Sequence, residues 1–101
     1  MNRTQKGKLF EKKAQDILEK QKYWIEKARH IRFHAQDLFG CWDLMAVNRK
    51  EIRFIQVSSE PFGSRSRADK ERMLAFPKPP GSKKEYWRWN QKKNEFEISI
   101  I

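Results

Sequence analysis

Two strand-like runs separated by a polar turn constrain this chain more than any other feature. Cys41 to Val47 (CWDLMAV) and Ile52 to Ser58 (IRFIQVS) are rich in β-favouring apolar residues, and Asn48-Arg49-Lys50-Glu51 stands between them. Apolar runs bounded by a short polar loop read as a β-hairpin. A two- or four-residue loop centred there fixes a register in which paired residue numbers sum to 99. Val47 then faces Ile52, and Asp43 faces Gln56. Side chains alternate with period 2, so Gln56 and Ser58 are expected on the same sheet face as Asp43. A carboxylate, an amide and a hydroxyl thus converge on a largely apolar hairpin. Such a cluster needs partners: one another, water, a metal or a ligand.

The rest of the chain supplies elements to pack against that hairpin. Thr4 is placed to cap a helix running to about Gln21, with Phe10, Ala14, Ile17 and Leu18 forming one apolar stripe. Glu11 falls on the edge of that stripe, beside Leu18, and lysines occupy the opposite face. Tyr23 to His30 reads as a strand and Ile31 to Gly40 as a loop. After the loop Pro61 to Arg65, Ser66 followed by Asp69 resembles a capping box for a short helix over 67–75. Pro77-Lys78-Pro79-Pro80-Gly81 ends it, because proline suits neither a helix nor a strand interior. Glu85 to Asn90 and Glu95 to Ile101 predict a second hairpin, with pairs summing to 185 that set Trp89 against Phe96 and Trp87 against Ile98. The order α, β, β-hairpin, α, β-hairpin predicts an α/β (α+β) fold. It is one mixed sheet of about five strands flanked by helices, in a single domain over 1–101.

Charge narrows the partners. The chain has 101 residues with 23 Lys and Arg against 13 Asp and Glu, a net charge of +10. A polyanion is therefore the first partner to consider. The basic residues Lys6, Lys8, Lys12 and Lys13 and the group Arg65, Arg67 and Lys70 are the candidate phosphate-tracking surface. No stretch approaches the roughly 18–20 apolar residues of a membrane span, and no apolar signal-peptide core follows the polar N-terminus. One cysteine, Cys41, excludes an internal disulfide and a Cys-based zinc site, and a reducing, cytoplasmic setting is expected. Cys41 reads as a small core residue with no base beside it. Trp42, Trp87 and Trp89 read as core before they read as base-stacking groups. His30 and His34 have helical metal-ligand spacing but sit in a predicted strand and loop.

Glu11, Asp43 and the triplet Gln56-Val57-Ser58 together resemble the PD-(D/E)XK nuclease superfamily, in particular the archaeal Holliday-junction resolvases and related restriction-endonuclease-like proteins. That family opens with a helix whose Lys-Gly is followed by Glu, here Lys6, Gly7 and Glu11. A strand bearing an Asp follows, here Asp43. A hairpin then leads to Glu-x-Lys, at the positions that here read Gln56-Val57-Ser58, and a further helix matches the segment after Ser66. The resemblance covers residues 4–75. It implies a restriction-endonuclease-like fold, Mg²⁺-dependent phosphodiester hydrolysis on DNA, and a homodimer. It also implies metal ligation by Glu11, Asp43 and Gln56, with Ser58 completing the catalytic set.

The departures qualify the chemistry. A Gln carbonyl oxygen is a weaker Mg²⁺ ligand than a carboxylate, although some nucleases of this superfamily carry Gln there. Ser58 donates a hydrogen bond but cannot supply the cation of Lys. Arg67 or Lys70 on the following helix are the candidates to replace it. Two further readings compete with a nuclease: a catalytically inactive nucleic-acid-binding module or partner subunit of the same fold, and a basic domain that binds an acidic protein.

Overall fold

The computed structural model describes residues 3–31 and 34–101, with side chains described for 7–28 and 37–101. Among them, helix α1 spans Arg3–Lys20 and helix α2 spans Arg67–Ala75. The strands are β1 (Trp24–Lys27), β2 (Arg29–Ile31), β3 (His34–Gln36), β4 (Leu44–Val47), β5 (Ile52–Ser58), β6 (Ser82–Asn90) and β7 (Glu95–Ile100). Five strands form one sheet in the order β1-β4-β5-β6-β7, and β2 pairs with β3 in a separate two-stranded sheet. Only the β5–β6 pair of the large sheet is parallel, which makes it a mixed sheet. The described helices are too short or too polar to cross a membrane.

Both hairpins hold the expected registers. Val47 pairs with Ile52 and Leu44 with Ile55; Trp89 pairs with Phe96 and Trp87 with Ile98. The first turn is set by Asn48, whose Oδ1 accepts the backbone N–H of Lys50 and of Glu51. That local competition with the ladder is why Asn favours turns. Ser66 caps α2 as expected, its hydroxyl accepting the Asp69 N–H at 3.1 Å.

Other boundaries move. Thr4 lies inside α1 rather than at its cap. Tyr23–His30 does not form one strand: the Ala28 N–H still follows the β1–β4 register to the Asp43 carbonyl at 2.8 Å, and β2 then leaves it to pair with β3. The expected loop over 31–40 therefore contains a strand. Cys41 to Asp43 are not part of β4, because Leu38 closes a tight turn on Trp42 with a bridge between them. β6 begins at Ser82 rather than Glu85, since parallel pairing with β5 extends it back to the prolines. Gly81 is needed there. Its φ of +79° favours glycine, and its carbonyl accepts the Ile52 N–H at 2.8 Å.

The sheet has an apolar layer on each face. On one side Phe10, Ala14 and Leu18 of α1 pack on Leu44, Ala46, Ile55, Val57, Trp87 and Trp89. Ile17, assigned to the same stripe, is instead 38% exposed. On the other side Met73 of α2 packs with Cys41, Trp42, Phe54 and Tyr86. Burying a Leu or Phe side chain stabilises by roughly 1.5–3 kcal/mol, so these two layers hold the helices to the sheet.

Candidate active site at the carboxyl end of β5

Of the polar groups singled out in the sequence, Glu11 and Asp43 meet where β5 ends and β4 begins, whereas Gln56 and Ser58 do not share the face expected for them with Asp43. Asp43 sits one residue before β4 and continues its ladder. Its N–H donates to the Ile55 carbonyl at 2.9 Å, and its carboxylate accepts the Val57 N–H at 2.9 Å. The side chain thereby replaces a backbone acceptor that β4 does not provide there. From α1, Glu11 reaches the same carboxylate, and the two acidic side chains share a hydrogen bond. A hydrogen bond between two carboxyl groups requires a proton on one of them.

Asp43 is 7% exposed. Burial first, and then the negative charge of Glu11, push its carboxyl up to about 8; Asp37 adds to the push and the Val57 N–H opposes it. Two close carboxylates that cannot both ionise cheaply form a proton-sharing pair, and a divalent cation can take the proton's place.

Gln56 and Ser58 stand on β5 with Phe54, on the α2 side by strand alternation, in register with Tyr86 and Arg88 of β6. The Asp43 carboxylate instead turns to the Val57 N–H and to α1. Gln56 is 5% exposed, and its Oε1 has no hydrogen-bond partner among the described residues. A buried carbonyl oxygen without a donor costs about 1–3 kcal/mol, which a water or a cation would relieve. Ser58 Oγ accepts the Glu60 N–H at 3.0 Å. The two carboxylates suit Mg²⁺, which keeps several of its own waters and needs few protein ligands, and the Gln56 oxygen does not join them. Among the described residues no group of three or more His, Cys, Asp and Glu is placed to hold a metal.

The basic candidates divide between the layers. Lys8 is exposed on α1, Lys12 pairs with Asp16 at 2.9 Å, and Lys13 lies 5.1 Å from the centre of the Trp89 ring. On the opposite face Arg65 pairs with Asp69 and Arg67 with Glu71, while Lys70 Nζ donates to the Gly63 carbonyl. The side chains of Lys6, His30 and His34 lie outside the described residues.

With Arg67 and Lys70 engaged on α2, the cation in register with Ser58 is Arg88. Its Nη1 lies 3.4 Å from Glu97 and its Nε is buried without a partner among the described residues. Arg88 also borders a hollow of about 500 Å³ with Phe10, Ser59 and Trp89 at this end of the sheet. Sequence reasoning passed over it because it sits within the Trp-rich strand; the parallel β5–β6 pairing is what brings it beside Ser58. Trp42, Trp87 and Trp89 are buried, as is Cys41, whose thiol burial pushes up.

The sequence also gave no hint of a buried ion pair in the α1 layer. Arg53 donates from Nε and Nη2 to the two carboxylate oxygens of Glu85 at 2.9 and 2.7 Å, and Trp87 Nε1 donates to Glu85 at 2.8 Å. The guanidinium lies over the Tyr23 and Trp87 rings. On the other face Lys84, 5% exposed, donates to the carbonyls of Met73, Leu74 and Phe76 and closes the end of α2. Both are fully partnered and read as structural.

Set against protein-family models, curated proteins and solved structures, the chain matches none.

Proposed function

We propose that this chain is a restriction-endonuclease-like domain that binds nucleic acid, DNA foremost, through its phosphates, and that Glu11 and Asp43 hold a divalent cation at the contact. The observation that carries the reading is the Glu11–Asp43 pair at the carboxyl end of β5, with Asp43 buried and Glu11 half-buried, in a chain of net charge +10. Keeping two carboxylates together with one of them buried is costly unless a proton or a cation completes them. Gln56, whose oxygen is unpartnered among the described residues, faces the α2 side and is not placed to add a third ligand to that pair. A bound Mg²⁺ would polarise a phosphate oxygen and lower the pKa of a bound water. The protein's own share is to orient that phosphate, with Arg88 as the neighbouring cation.

Hydrolysis is expected to be weak. Gln56 supplies no charge and Ser58 no cation where a resolvase-like site would carry Glu and Lys, and losing one transition-state donor typically costs about 10²–10³ in rate. The reading is therefore a binding module with residual or absent cleavage, working as a homodimer or beside a partner subunit. The test is incubation with supercoiled, linear and branched DNA, with and without Mg²⁺ or Mn²⁺, across a salt series. Binding should fall steeply with salt and depend little on duplex sequence, with slow cleavage or none. No binding at low salt, or a flat response to salt, overturns the binding claim. Cleavage that survives both Asp43→Ala and Glu11→Ala overturns the site.

A further inference from the structure

The opposite end of the sheet carries a second feature of a different kind. Trp24, the first residue of edge strand β1, is 82% exposed, whereas Trp42, Trp87 and Trp89 are 0%, 1% and 9% exposed. An indole left so open gains nothing from the fold, since tryptophan is among the residues most buried on average. Its position is well fixed. The helix α1 ends in a turn where Lys22 takes a φ of +71°, Tyr23 N–H bonds back to the Leu18 carbonyl, and Trp24 then pairs with Val47 of β4. The ring separates two shallow hollows. One, of about 610 Å³, is bordered by Lys22, Val47, Asn48, Arg49 and Lys50; the other, of about 430 Å³, is bordered by Glu19 and Tyr23.

The charges around the ring are lopsided. Three cations, Lys22, Arg49 and Lys50, border the larger hollow. Glu51, the acid of the same turn, is already committed: it accepts the Tyr23 hydroxyl at 2.8 Å and pairs with Lys83 at 3.1 Å, which hold its carboxyl below the usual range. An exposed aromatic face beside a concentration of positive charge suits an anionic ligand with a flat ring. An unpaired nucleotide has both parts, a base to stack and a phosphate to pair. A protein partner of acidic character would match the cations but would leave the exposed indole without a stacking role.

We propose that Trp24, with Lys22, Arg49 and Lys50, is a stacking site for an unpaired base of single-stranded nucleic acid, separate from the Glu11–Asp43 pair. It rests on the nucleic-acid reading above for the class of polymer and adds the strandedness that the reading leaves open. The two features lie at opposite ends of β5, a strand of seven residues and so roughly 20 Å apart. A polymer with a duplex part and an unpaired part would therefore engage both.

Because the other tryptophans are buried, indole fluorescence accessible to iodide reports Trp24. A short oligothymidylate added at low salt should quench that emission and shield it from iodide. Trp24→Ala should weaken oligothymidylate binding about five- to 150-fold, from the usual worth of one base–aromatic stack. Its affinity for blunt mixed-sequence duplex should change by less than about twofold, and Trp24→Phe should recover most of the loss. Arg49→Gln with Lys50→Gln should reduce the salt slope for oligothymidylate by about 1 to 2. Wild-type oligothymidylate affinity in Trp24→Ala, with duplex binding intact, overturns this proposal alone. Loss of a self-associated species in Trp24→Ala with oligothymidylate affinity unchanged assigns the hollow to a second copy and also overturns it. Failure of the wild-type protein to bind either polymer at low salt overturns both readings.

Discussion

Replacing Asp43 by Asn isolates the proton held between α1 and the start of β4. The Asp43 carboxyl titrates at about 8 in the folded protein, against about 3.9 in an unfolded chain. Between those values the folded state holds a proton that the unfolded state has released. Stability from this residue is therefore greatest below about pH 4 and declines as pH rises towards 8, then levels off. One pH unit between those values is worth about 1.4 kcal/mol, so moving from pH 5 to pH 7 removes on the order of 2–3 kcal/mol. That is a large share of the roughly 5–15 kcal/mol by which a domain of this size is stable. Asn has nearly the same shape, does not titrate, and offers an Oδ1 to the Val57 N–H that Asp43 now satisfies. Urea unfolding of both proteins at pH 5 and pH 7 gives the comparison, and taking the difference of differences removes the other titrating groups. The wild type should lose about 2–3 kcal/mol more than Asp43→Asn over that interval. At pH 8, millimolar Mg²⁺ or Mn²⁺ should raise the wild-type Tm by displacing the proton, with no rise in Asp43→Asn. Equal pH slopes for the two proteins would refute the shared proton, and an equal metal response would refute its replacement by a cation.

Three other outcomes follow from the same geometry. Arg53→Met should destabilise by about 3–5 kcal/mol in urea, because it strands the Glu85 carboxylate, 2% exposed, without its guanidinium. Adding Glu85→Leu should recover part of that loss, and a double variant less stable than Arg53→Met would contradict the explanation. Lys84→Met keeps the aliphatic stem but removes the donor to three carbonyls at the end of α2, at an expected cost of about 1–3 kcal/mol; an unchanged urea midpoint would show that water serves equally well. Gln56→Glu with Ser58→Lys should raise metal-dependent DNA cleavage, measured on supercoiled plasmid, and no gain would mean that the two positions do not face the phosphate.

The legible parts of this fold are those fixed by short-range chemistry. Asn48 closes one turn through its own side chain, and the turn before Glu95 closes the other, so both hairpin registers could be read from residue numbers alone. Ser66 announced α2 for the same reason. The misread parts depend on distant partners. The run over 23–30 divides because, past the Ala28 N–H bond to the Asp43 carbonyl that extends the β1–β4 ladder, Arg29 to Ile31 pair with β3 instead. Ile17 has stripe spacing but is left exposed, because the buried line of α1 runs along Phe10, Ala14 and Leu18. Glu11 and Asp43 were named from a motif, and their meeting depends on how α1 crosses β4 and β5. Arg53, Glu85 and Arg88 gave no local signal, because each acquires its surroundings from the parallel β5–β6 seam.

That seam also divides the molecule into halves. Everything through α2 includes the β4–β5 hairpin, and everything after Gly81 is the β6–β7 hairpin. The halves are joined through a segment rich in proline, by seven residue pairs along β5 and β6, and by the packing of both helices on β6. Each hairpin closes over a few residues and can form within about 1–10 μs, whereas bringing β6 alongside β5 must wait for the long connection through α2 to close. Docking of one half on the other is then the slow event of folding. A chain nicked between Pro77 and Gly81 should reassemble from two fragments, and the protein could serve as a split reporter whose recovery measures how often two tethered molecules meet.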